Sequence, residues 1–280
     1  MARSTLGGHH LVAAPLGYCV DMVRGLADMG AEGVLLAGAG RAILLQIANP
    51  AVGHGVAAHS TFAERPFDRF RATVTYVYAV VYGTEDQAAA VRRIVNRAHA
   101  PVRRESDAAS AGYSAFDATS QLWVVATLYD TAITVHERIY GPLDEESADL
   151  VYRDYSKIGT ALQLPAELWP ADRAAFGTYW DSCLQTLKTD DVTLRLARDL
   201  LYPAGGPFWL RVSMPLARFI TAGLLPEHLR EGFGLPWSVR HGRHFDRTVR
   251  TAAVVYPRLP QRVRHWFKNY CLGRLESRAT

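Results

Sequence analysis

The sequence has few cysteines and no apolar run long enough to cross a membrane. Its only three cysteines are too far apart for a disulfide framework or a zinc or iron–sulfur site, which predicts a reducing compartment. They are Cys19, Cys183 and Cys271. The most apolar stretch, 33–52, is interrupted by Arg41 and Pro50. A membrane span needs roughly 20 apolar residues without such interruptions, so we expect a core helix in a soluble, cytoplasmic protein.

The common catalytic motifs are also absent. The sequence contains no GxSxG, Walker loop, HExxH or paired-carboxylate motif. The glycines of Gly38-Ala-Gly40 lie in an apolar helical pattern rather than after a strand, which argues against a dinucleotide-binding fingerprint. The 31 basic residues exceed the 27 acidic ones by only four and are scattered among them. Nucleic acid is therefore not an expected partner.

Apolar residues recur mostly at helical spacing, which predicts an all-α fold of roughly ten helices. No linker divides the chain, so we expect a single domain over 1–280 with an N-terminal segment at 1–25. Thr84 is the expected N-cap of one helix. A strand is the alternative over 73–78, where β-branched and aromatic residues alternate. The predicted helices cover 33–48, 67–82, 85–99, 117–140, 144–162, 170–187, 191–201, 207–222 with a kink or break at Pro215, a short segment near 228, 238–256 and 260–272.

Histidine gives the clearest indication of chemistry. His99 follows Val91 and Val95 at helical spacing, which places it on an apolar face. A lone histidine there is most often a core residue bonded to a backbone carbonyl. A neutral imidazole on such a face is also how many b-type haems are held. Arg103, one turn later, would then pair with a haem propionate or meet solvent.

Four further features bear on packing and contacts. The small residues at 37–40 would let another backbone or a flat ligand approach closely. Asp130 would anchor an arginine such as Arg41 in the core. The six tryptophans are expected to pack mostly in the core or at its rim. The partly amphipathic basic tail at 258–278 would be a solvated helix face or a peripheral membrane contact with anionic lipid.

A series of short motifs runs along the chain from about residue 30 to 270. The motifs are Glu32-Gly-Val-Leu-Leu-Ala-Gly-Ala-Gly-Arg41, Leu44-Leu-Gln-Ile-Ala-Asn-Pro-Ala51, Val56-Ala-Ala-His-Ser60, Arg69-Phe-Arg-Ala-Thr73, Tyr82-Gly-Thr84, His99-Ala-Pro-Val-Arg103, Tyr113-Ser-Ala-Phe-Asp117, Leu122-Trp-Val-Val-Ala-Thr127, Leu168-Trp-Pro-Ala171, Arg198 to Pro203 and Gly234-Leu-Pro-Trp237. Each motif is weak alone, but their order and spacing together are specific. Taken together, they resemble the MpaB/latex-clearing-protein family.

The resemblance implies a globin-like helical domain that encloses haem b. Characterised members use dioxygen to cleave carbon–carbon double bonds of isoprenoid chains. The family's proximal His-x-x-x-Arg pattern falls on His99, as the iron ligand, and on Arg103. The distal Arg-x-x-Lys-Thr pattern of rubber-cleaving members falls on Arg69 and Thr73, with Ala72 at the lysine position. Arg69 and Thr73 would orient dioxygen by hydrogen bonding.

The sequence departs from the family at two further positions. Asn49 stands where many members have the histidine of His-Pro, and Val125 stands where they have the histidine of Trp-Val-His. His59 matches a recurrent histidine, which would face the pocket or be hydrogen-bonded in the interior. These departures favour a small apolar lipid or isoprenoid-like substrate over rubber. They also leave two alternatives: a haem- or lipid-binding protein without turnover, and a peroxidase-like oxidase.

The residues predicted to form the site fall into three groups. The iron ligand is His99, and the haem contacts are His99, Arg103 and Arg69. The residues expected to take part in catalysis with haem b and dioxygen are Arg69, Thr73 and His59.

Overall fold

The computed structural model describes residues 23–59, 66–105, 112–203 and 208–279. Within these residues the chain forms fourteen α-helices and one two-stranded hairpin, which confirms the all-α prediction. The globin-like arrangement stays a prediction. The first seven helices are α1 (Leu26–Gly30), α2 (Ala39–Ala48), α3 (Pro50–His59), α4 (Pro66–Tyr82), α5 (Glu85–His99), α6 (Ala118–Tyr140) and α7 (Glu145–Thr160). The other seven are α8 (Arg173–Thr186), α9 (Asp191–Leu201), α10 (Phe208–Leu224), α11 (Glu227–Gly232), α12 (Val239–Val255), α13 (Gln261–Arg264) and α14 (Trp266–Ala279). The strands are β1 (Arg103–Arg104) and β2 (Tyr113–Ser114), and 3-10 helices cover Gly33–Gly38, Ala166–Leu168 and Tyr256–Arg258.

Short acidic side chains set the start of several helices. The carboxylate of Asp117 accepts a hydrogen bond from the Ser120 N–H at 2.7 Å, and that of Asp144 accepts one from the Ser147 N–H at 2.9 Å. Each bond satisfies an amide at a helix N-terminus that has no partner within the helix. The predicted starts of α6 and α7 are therefore confirmed, and Gly141 ends α6 with a positive φ of 88°.

The stretch 33–48 is not a single α-helix as predicted. Its first six residues form a 3-10 helix, and α2 begins only at Ala39. Asn49 and Pro50 end α2 as expected, but they also start α3. The Asn49 Oδ1 accepts a hydrogen bond from the Ala51 N–H at 3.1 Å, and Pro50 occupies the first helical position. Asn49, at the position of a family histidine, is thus a helix cap.

Three other helical predictions change in detail. The stretch 73–78 lies within α4, so the strand alternative is wrong. Helix α10 runs across Pro215 without a break. The predicted helix at 260–272 is two helices, because α13 ends before His265 and α14 begins after it.

The core is built around α6. Trp123 is buried, its indole N–H donates to the Leu45 carbonyl at 3.1 Å, and its ring stacks on Trp180 at 5.3 Å between centroids. Two turns along α6, the ring of Tyr129 contacts an aromatic cluster from the following helices and loop. That cluster is Tyr152, Tyr155, Trp169 and Phe176. Helix α6 is therefore packed against α2, α7 and α8.

The small residues before and within α2 allow close packing against α6 and α10. A Cβ atom on Gly38 would lie 2.4 Å from Thr131 Cγ2, and one on Gly40 would lie 2.0 Å from Thr221 Oγ1. Protein side chains therefore fill the space beside this stretch. The interpretation as a site of close helix approach is supported, and a flat ligand has no room there.

Replacing Gly40 with alanine is expected to lower the free energy of unfolding by about 1–3 kcal/mol, since the new methyl group overlaps Thr221. Urea unfolding followed by circular dichroism measures the change. The matched control is Gly177→Ala in α8, where a Cβ would have nothing within 4 Å. The free energy of unfolding of this control should rise by about 0.5–1 kcal/mol, because alanine has a higher helix propensity than glycine. Equal stability of the two variants would contradict the packing argument.

A buried ion pair joins α2 to α6, as the sequence analysis suggested. The Arg41 side chain is buried, and its Nη2 lies 2.5 Å from Asp130 Oδ2. Its Nη1 donates to Thr131 Oγ1 at 2.7 Å, and its Nε donates to the Leu224 carbonyl at 2.9 Å. The guanidinium therefore binds groups of α6 and the end of α10 together, with donors directed at three separate acceptors.

A second buried network joins the two ends of the described chain. Glu32 is 8% exposed, and its Oε1 accepts hydrogen bonds from Arg264 and, at 3.1 Å, from the His265 Nε2. Arg264 also donates to the Tyr140 hydroxyl at 3.0 Å. We call Glu32, Arg264, His265 and Tyr140 the Glu32 clamp. It fixes the turn between α12 and α14 onto α6 and the first 3-10 helix.

No single helix in the described ranges is both long enough and apolar enough to cross a membrane. The bent pair Gly33–Ala48 and Pro50–His59, with 102° between the two parts, meets the length and composition criteria only when taken together.

Candidate functional site

Helices α4 and α5 form a tight helical hairpin that carries most of the predicted site. Only Gly83 and Thr84 separate them, and the two helices pack against each other. The Thr84 hydroxyl accepts from the Gln87 N–H at 3.2 Å, and the Gln87 side chain accepts from the Thr84 N–H at 3.0 Å. This capping box confirms Thr84 as the N-cap. The hairpin carries Arg69 and Thr73 on α4 and His99 as the last residue of α5.

His99 lies at the end of α5 on the face it shares with Val91 and Val95. Val91 is buried, and Val95 and His99 are half-buried, so the predicted apolar face is confirmed. The His99 ring meets the ring of Phe116 edge-on, with 6.4 Å between centroids. The His99 carbonyl accepts from the Val102 N–H at 2.8 Å, which turns the chain away from the helix.

The chain after His99 returns as a two-stranded hairpin that reaches α3. Arg103 pairs with Ser114, and Arg104 pairs with Tyr113. The Tyr113 hydroxyl lies 3.1 Å from His59 Nδ1, and the two rings meet edge-on at 5.5 Å. In the sequence, Tyr113 and Phe116 stand out only as parts of a motif. Their contacts with the two predicted site histidines are visible only in the structure.

Helix α3 approaches the hairpin closely because it has glycine at position 55. A Cβ on Gly55 would lie 3.2 Å from Tyr113 Cδ2 and 3.6 Å from Val102 Cγ1. His59 is the last residue of α3 and is exposed, so its predicted alternative as a buried residue is wrong. Its hydrogen bond with Tyr113 is nevertheless present. The hairpin thus joins the helix of His59 to the helix of His99.

The distal positions lie on the first half of α4. Thr73 and Ala72 are both exposed, so the hydroxyl group is open to a ligand. Arg69 precedes Thr73 by one helical turn on the backbone of α4, but its side chain lies outside the described part of the structure. Arg103, the predicted propionate partner, is exposed on β1. The predicted positions therefore lie on three consecutive elements: Arg69 and Thr73 on α4, His99 at the end of α5, and Arg103 on β1.

Arg71 lies on another face of α4, as expected for an arginine two residues from Arg69. It is half-buried towards α14, where burial raises the pKa of the Cys271 thiol and the Arg71 charge partly opposes that shift. On the same side, Phe70 and Phe267 have ring centroids 6.2 Å apart. Arg71 is therefore part of the α4–α14 contact.

The described part of the chain offers single histidines rather than a cluster of metal ligands. Among the described residues, no group of three or more histidine, cysteine, aspartate or glutamate side chains could hold a metal ion. A haem iron needs only one axial imidazole from the protein, and the His99 imidazole is half-buried. The exposed Arg103 is of the right charge for a propionate. An enclosed haem pocket stays a prediction.

Comparison with known proteins identifies two similar mycobacterial proteins. Two relatives are each 38% identical over 209 residues, which cover 73% of this chain and 82% of the relative. They are the uncharacterised protein Mb2261 of Mycobacterium bovis and the uncharacterised protein Rv2237 of Mycobacterium tuberculosis. No solved structure matches the chain significantly.

The family described as "ER-bound oxygenase mpaB/B'/Rubber oxygenase, catalytic domain" matches residues 27–254. The match includes both helices of the α4–α5 hairpin, the β1–β2 hairpin and all of α6. Because it spans most of the chain, the family resemblance seen in the sequence is confirmed. The chain belongs to the mpaB/rubber oxygenase family.

Proposed function

We propose that this protein is a haem b-dependent oxygenase that uses dioxygen to oxidise a small, apolar, unsaturated lipid or isoprenoid-like molecule. The observation that carries the proposal is the position of His99. This half-buried imidazole ends α5, the second helix of the α4–α5 hairpin, in a chain that belongs to an oxygenase family. A bound haem would supply the iron that activates dioxygen.

The surroundings of His99 favour a fixed imidazole. Its backbone carbonyl is bound by the Val102 N–H, and its ring meets Phe116 edge-on. The first contact fixes the backbone at His99, and the second limits the positions of its ring, which supports the role of an axial ligand. Arg103, on the strand that follows, would pair with a haem propionate.

The residues on α4 would provide hydrogen-bond donors near the reacting molecules. The Thr73 hydroxyl is exposed, and Arg69 lies one turn before it. Donors that are already in position stabilise negative charge as it develops, without the cost of reorganising water. His59, linked to Tyr113, would supply a further polar group at the edge of the site.

The proposed substrate class rests on the apolar character beside His99. Phe116 contacts the histidine, yet it is 42% exposed. An aromatic face that is open to solvent next to a ligating residue favours contact with an apolar molecule. Ala72 at the distal lysine position leaves a short, uncharged side chain there, which supports a small molecule rather than rubber as substrate.

The proposal is tested first by visible spectroscopy. We expect the purified protein, as isolated or after addition of haem, to show a Soret band that shifts on reduction with dithionite. His99→Ala should lose this band. The matched control is His228→Ala, because His228 is exposed on α11, far along the chain from the α4–α5 hairpin. This control should keep the band unchanged.

Two results would overturn haem ligation by His99. One is a wild-type protein that shows no Soret band even after haem is added. The other is an unchanged band in His99→Ala. Oxygen consumption with prenyl lipids and unsaturated fatty acids then separates an oxygenase from the alternative of a haem-binding protein without turnover.

A further inference from the structure

The basic residues of this chain are concentrated at its C-terminal end, in contrast to the scattered distribution expected above. Residues 239–280 contain ten basic and two acidic side chains, a net charge of +8. The preceding 238 residues contain 21 basic and 25 acidic side chains, a net charge of −4. The positive charge of the protein is therefore concentrated in its last 42 residues.

Helix α12 carries much of this charge in one stripe on its outer face. We call Arg240, Arg243, Arg247 and Arg250 the basic stripe; all four are exposed. The first three line a shallow surface cavity of about 350 Å³ together with His244. The last two line a neighbouring cavity of about 500 Å³.

The basic stripe has little acidic compensation. Asp246 is the only acid of α12 and is exposed. Burial lowers the pKa of Arg138 on α6, and the charge of Asp246 opposes that shift, so this carboxylate also acts on an arginine outside the basic stripe. Within the described part of the chain, Arg240, Arg243 and Arg247 take part in no ion pair. Three or four arginines held together along about 15 Å of helix produce a local positive potential that attracts anionic groups.

Exposed apolar side chains lie directly after the basic stripe. Val254 and Val255 line the second cavity and are 42% and 51% exposed. In the turn that follows, Val263 is 56% exposed and Trp266 is 62% exposed. We call these four residues the apolar turn. The expectation that Trp266 packs in the core or at its rim is therefore wrong.

The apolar turn is fixed by contacts with the rest of the protein. Its flanking residues Arg264 and His265 belong to the Glu32 clamp, and the ring of Trp266 stacks on Tyr270 at 5.8 Å. Its valines and its tryptophan are thus exposed on a structured segment. Exposure of fixed apolar side chains to water is unfavourable, which indicates that another apolar environment covers them.

We propose that the basic stripe and the apolar turn together form a peripheral docking surface for a membrane that contains anionic phospholipid. Phosphate groups would bind the arginines, while the valines and Trp266 would enter the interfacial region of the bilayer. Tryptophan prefers this interface, and basic side chains are attracted by its negative surface potential. Duplex nucleic acid would satisfy the arginines but would leave the exposed valines in water, so the observations favour lipid.

The test is sedimentation of the full-length protein with vesicles. We expect binding to vesicles of phosphatidylcholine mixed with phosphatidylglycerol, weak binding to phosphatidylcholine alone, and a decrease at high salt. Each basic residue near an anionic surface contributes about fivefold to partitioning, so Arg243→Gln/Arg247→Gln should bind about 30-fold more weakly. Trp266→Ala should also bind more weakly, at low and at high salt.

The matched control removes two arginines from another exposed helix face. Arg195 and Arg198 lie on α9, and Arg195→Gln/Arg198→Gln should bind vesicles like the wild type. Equal binding to both vesicle types, or equal loss in the two double variants, would overturn the proposal. So would binding to duplex DNA without binding to vesicles. The assay does not involve haem, so its outcome is independent of the proposed oxygenase function.

Discussion

Replacing Arg41 with methionine is expected to lower the free energy of unfolding by about 3 kcal/mol, which changes the folding equilibrium more than 100-fold. The substitution leaves the Asp130 carboxylate without its cation and removes donors from Thr131 and the Leu224 carbonyl. Burial already raises the pKa of Asp130, and Arg41 opposes that effect. Without Arg41 the carboxyl should take up a proton more readily, so the variant should lose more stability as the pH rises.

Two further variants separate the charge from the packing. Asp130→Asn keeps the size of the side chain but leaves the Arg41 charge uncompensated, so it should also be strongly destabilised. The double variant Arg41→Met/Asp130→Leu removes both charges and should recover much of the loss, because a buried ion pair is often replaceable by apolar residues. Urea unfolding of the four proteins measures these differences. A double variant with the summed loss of the single variants would contradict the ion-pair explanation.

Lowering the pH from 7 to 5 is expected to lower the free energy of unfolding by about 2 kcal/mol, because His136 is protonated more readily in the unfolded chain. This residue is 3% exposed, and its Nδ1 has no hydrogen-bond partner among the described residues. Burial lowers the pKa of His136 to about 4, although the nearby Glu32 opposes the shift. In the unfolded chain the pKa is about 6.5. Between these values the unfolded state binds a proton that the folded state does not, so the free energy of unfolding falls as the pH falls.

The measurement compares the pH dependence of unfolding in two histidine variants. The free energy of unfolding of the wild type should fall on going from pH 7 to pH 5, and in His136→Phe this fall should be smaller by about 2 kcal/mol. The difference is expected whatever the stability of the variant at pH 7. His228→Phe changes an exposed histidine and should keep the wild-type dependence. If His136→Phe loses as much stability on acidification as the wild type, then His136 is not the group that titrates.

The local features of the fold could be predicted from the sequence because their signals lie within a few residues. Thr84, Asp117 and Asp144 each precede a helical pattern, and each caps the predicted helix. The position of His99 on an apolar face could be predicted from its spacing from Val95 alone. Even the pairing of Arg41 with Asp130 could be suggested, because both lie in strongly apolar helices where an isolated charge is unfavourable.

The remaining features depend on contacts between distant parts of the chain. The Glu32 clamp joins residues more than 200 positions apart, and no periodicity indicates such a pairing. The β1–β2 hairpin has only two residues in each strand, too few for an alternating pattern. The surroundings of His59 and His99 therefore became clear only from the structure. The exposure of Trp266 could not be predicted either, since an aromatic residue in a helix is usually packed inside.

The Glu32 clamp also bears on how large a piece of this chain can fold by itself. The family match ends at residue 254, ten residues before Arg264. A fragment cut at that boundary would keep Glu32 and Tyr140 but lose the guanidinium that neutralises the buried carboxylate and the imidazole that hydrogen-bonds to it. An unpaired buried charge is among the most destabilising defects a protein can have. The autonomous folding unit of this protein is therefore longer than the segment by which its family is recognised.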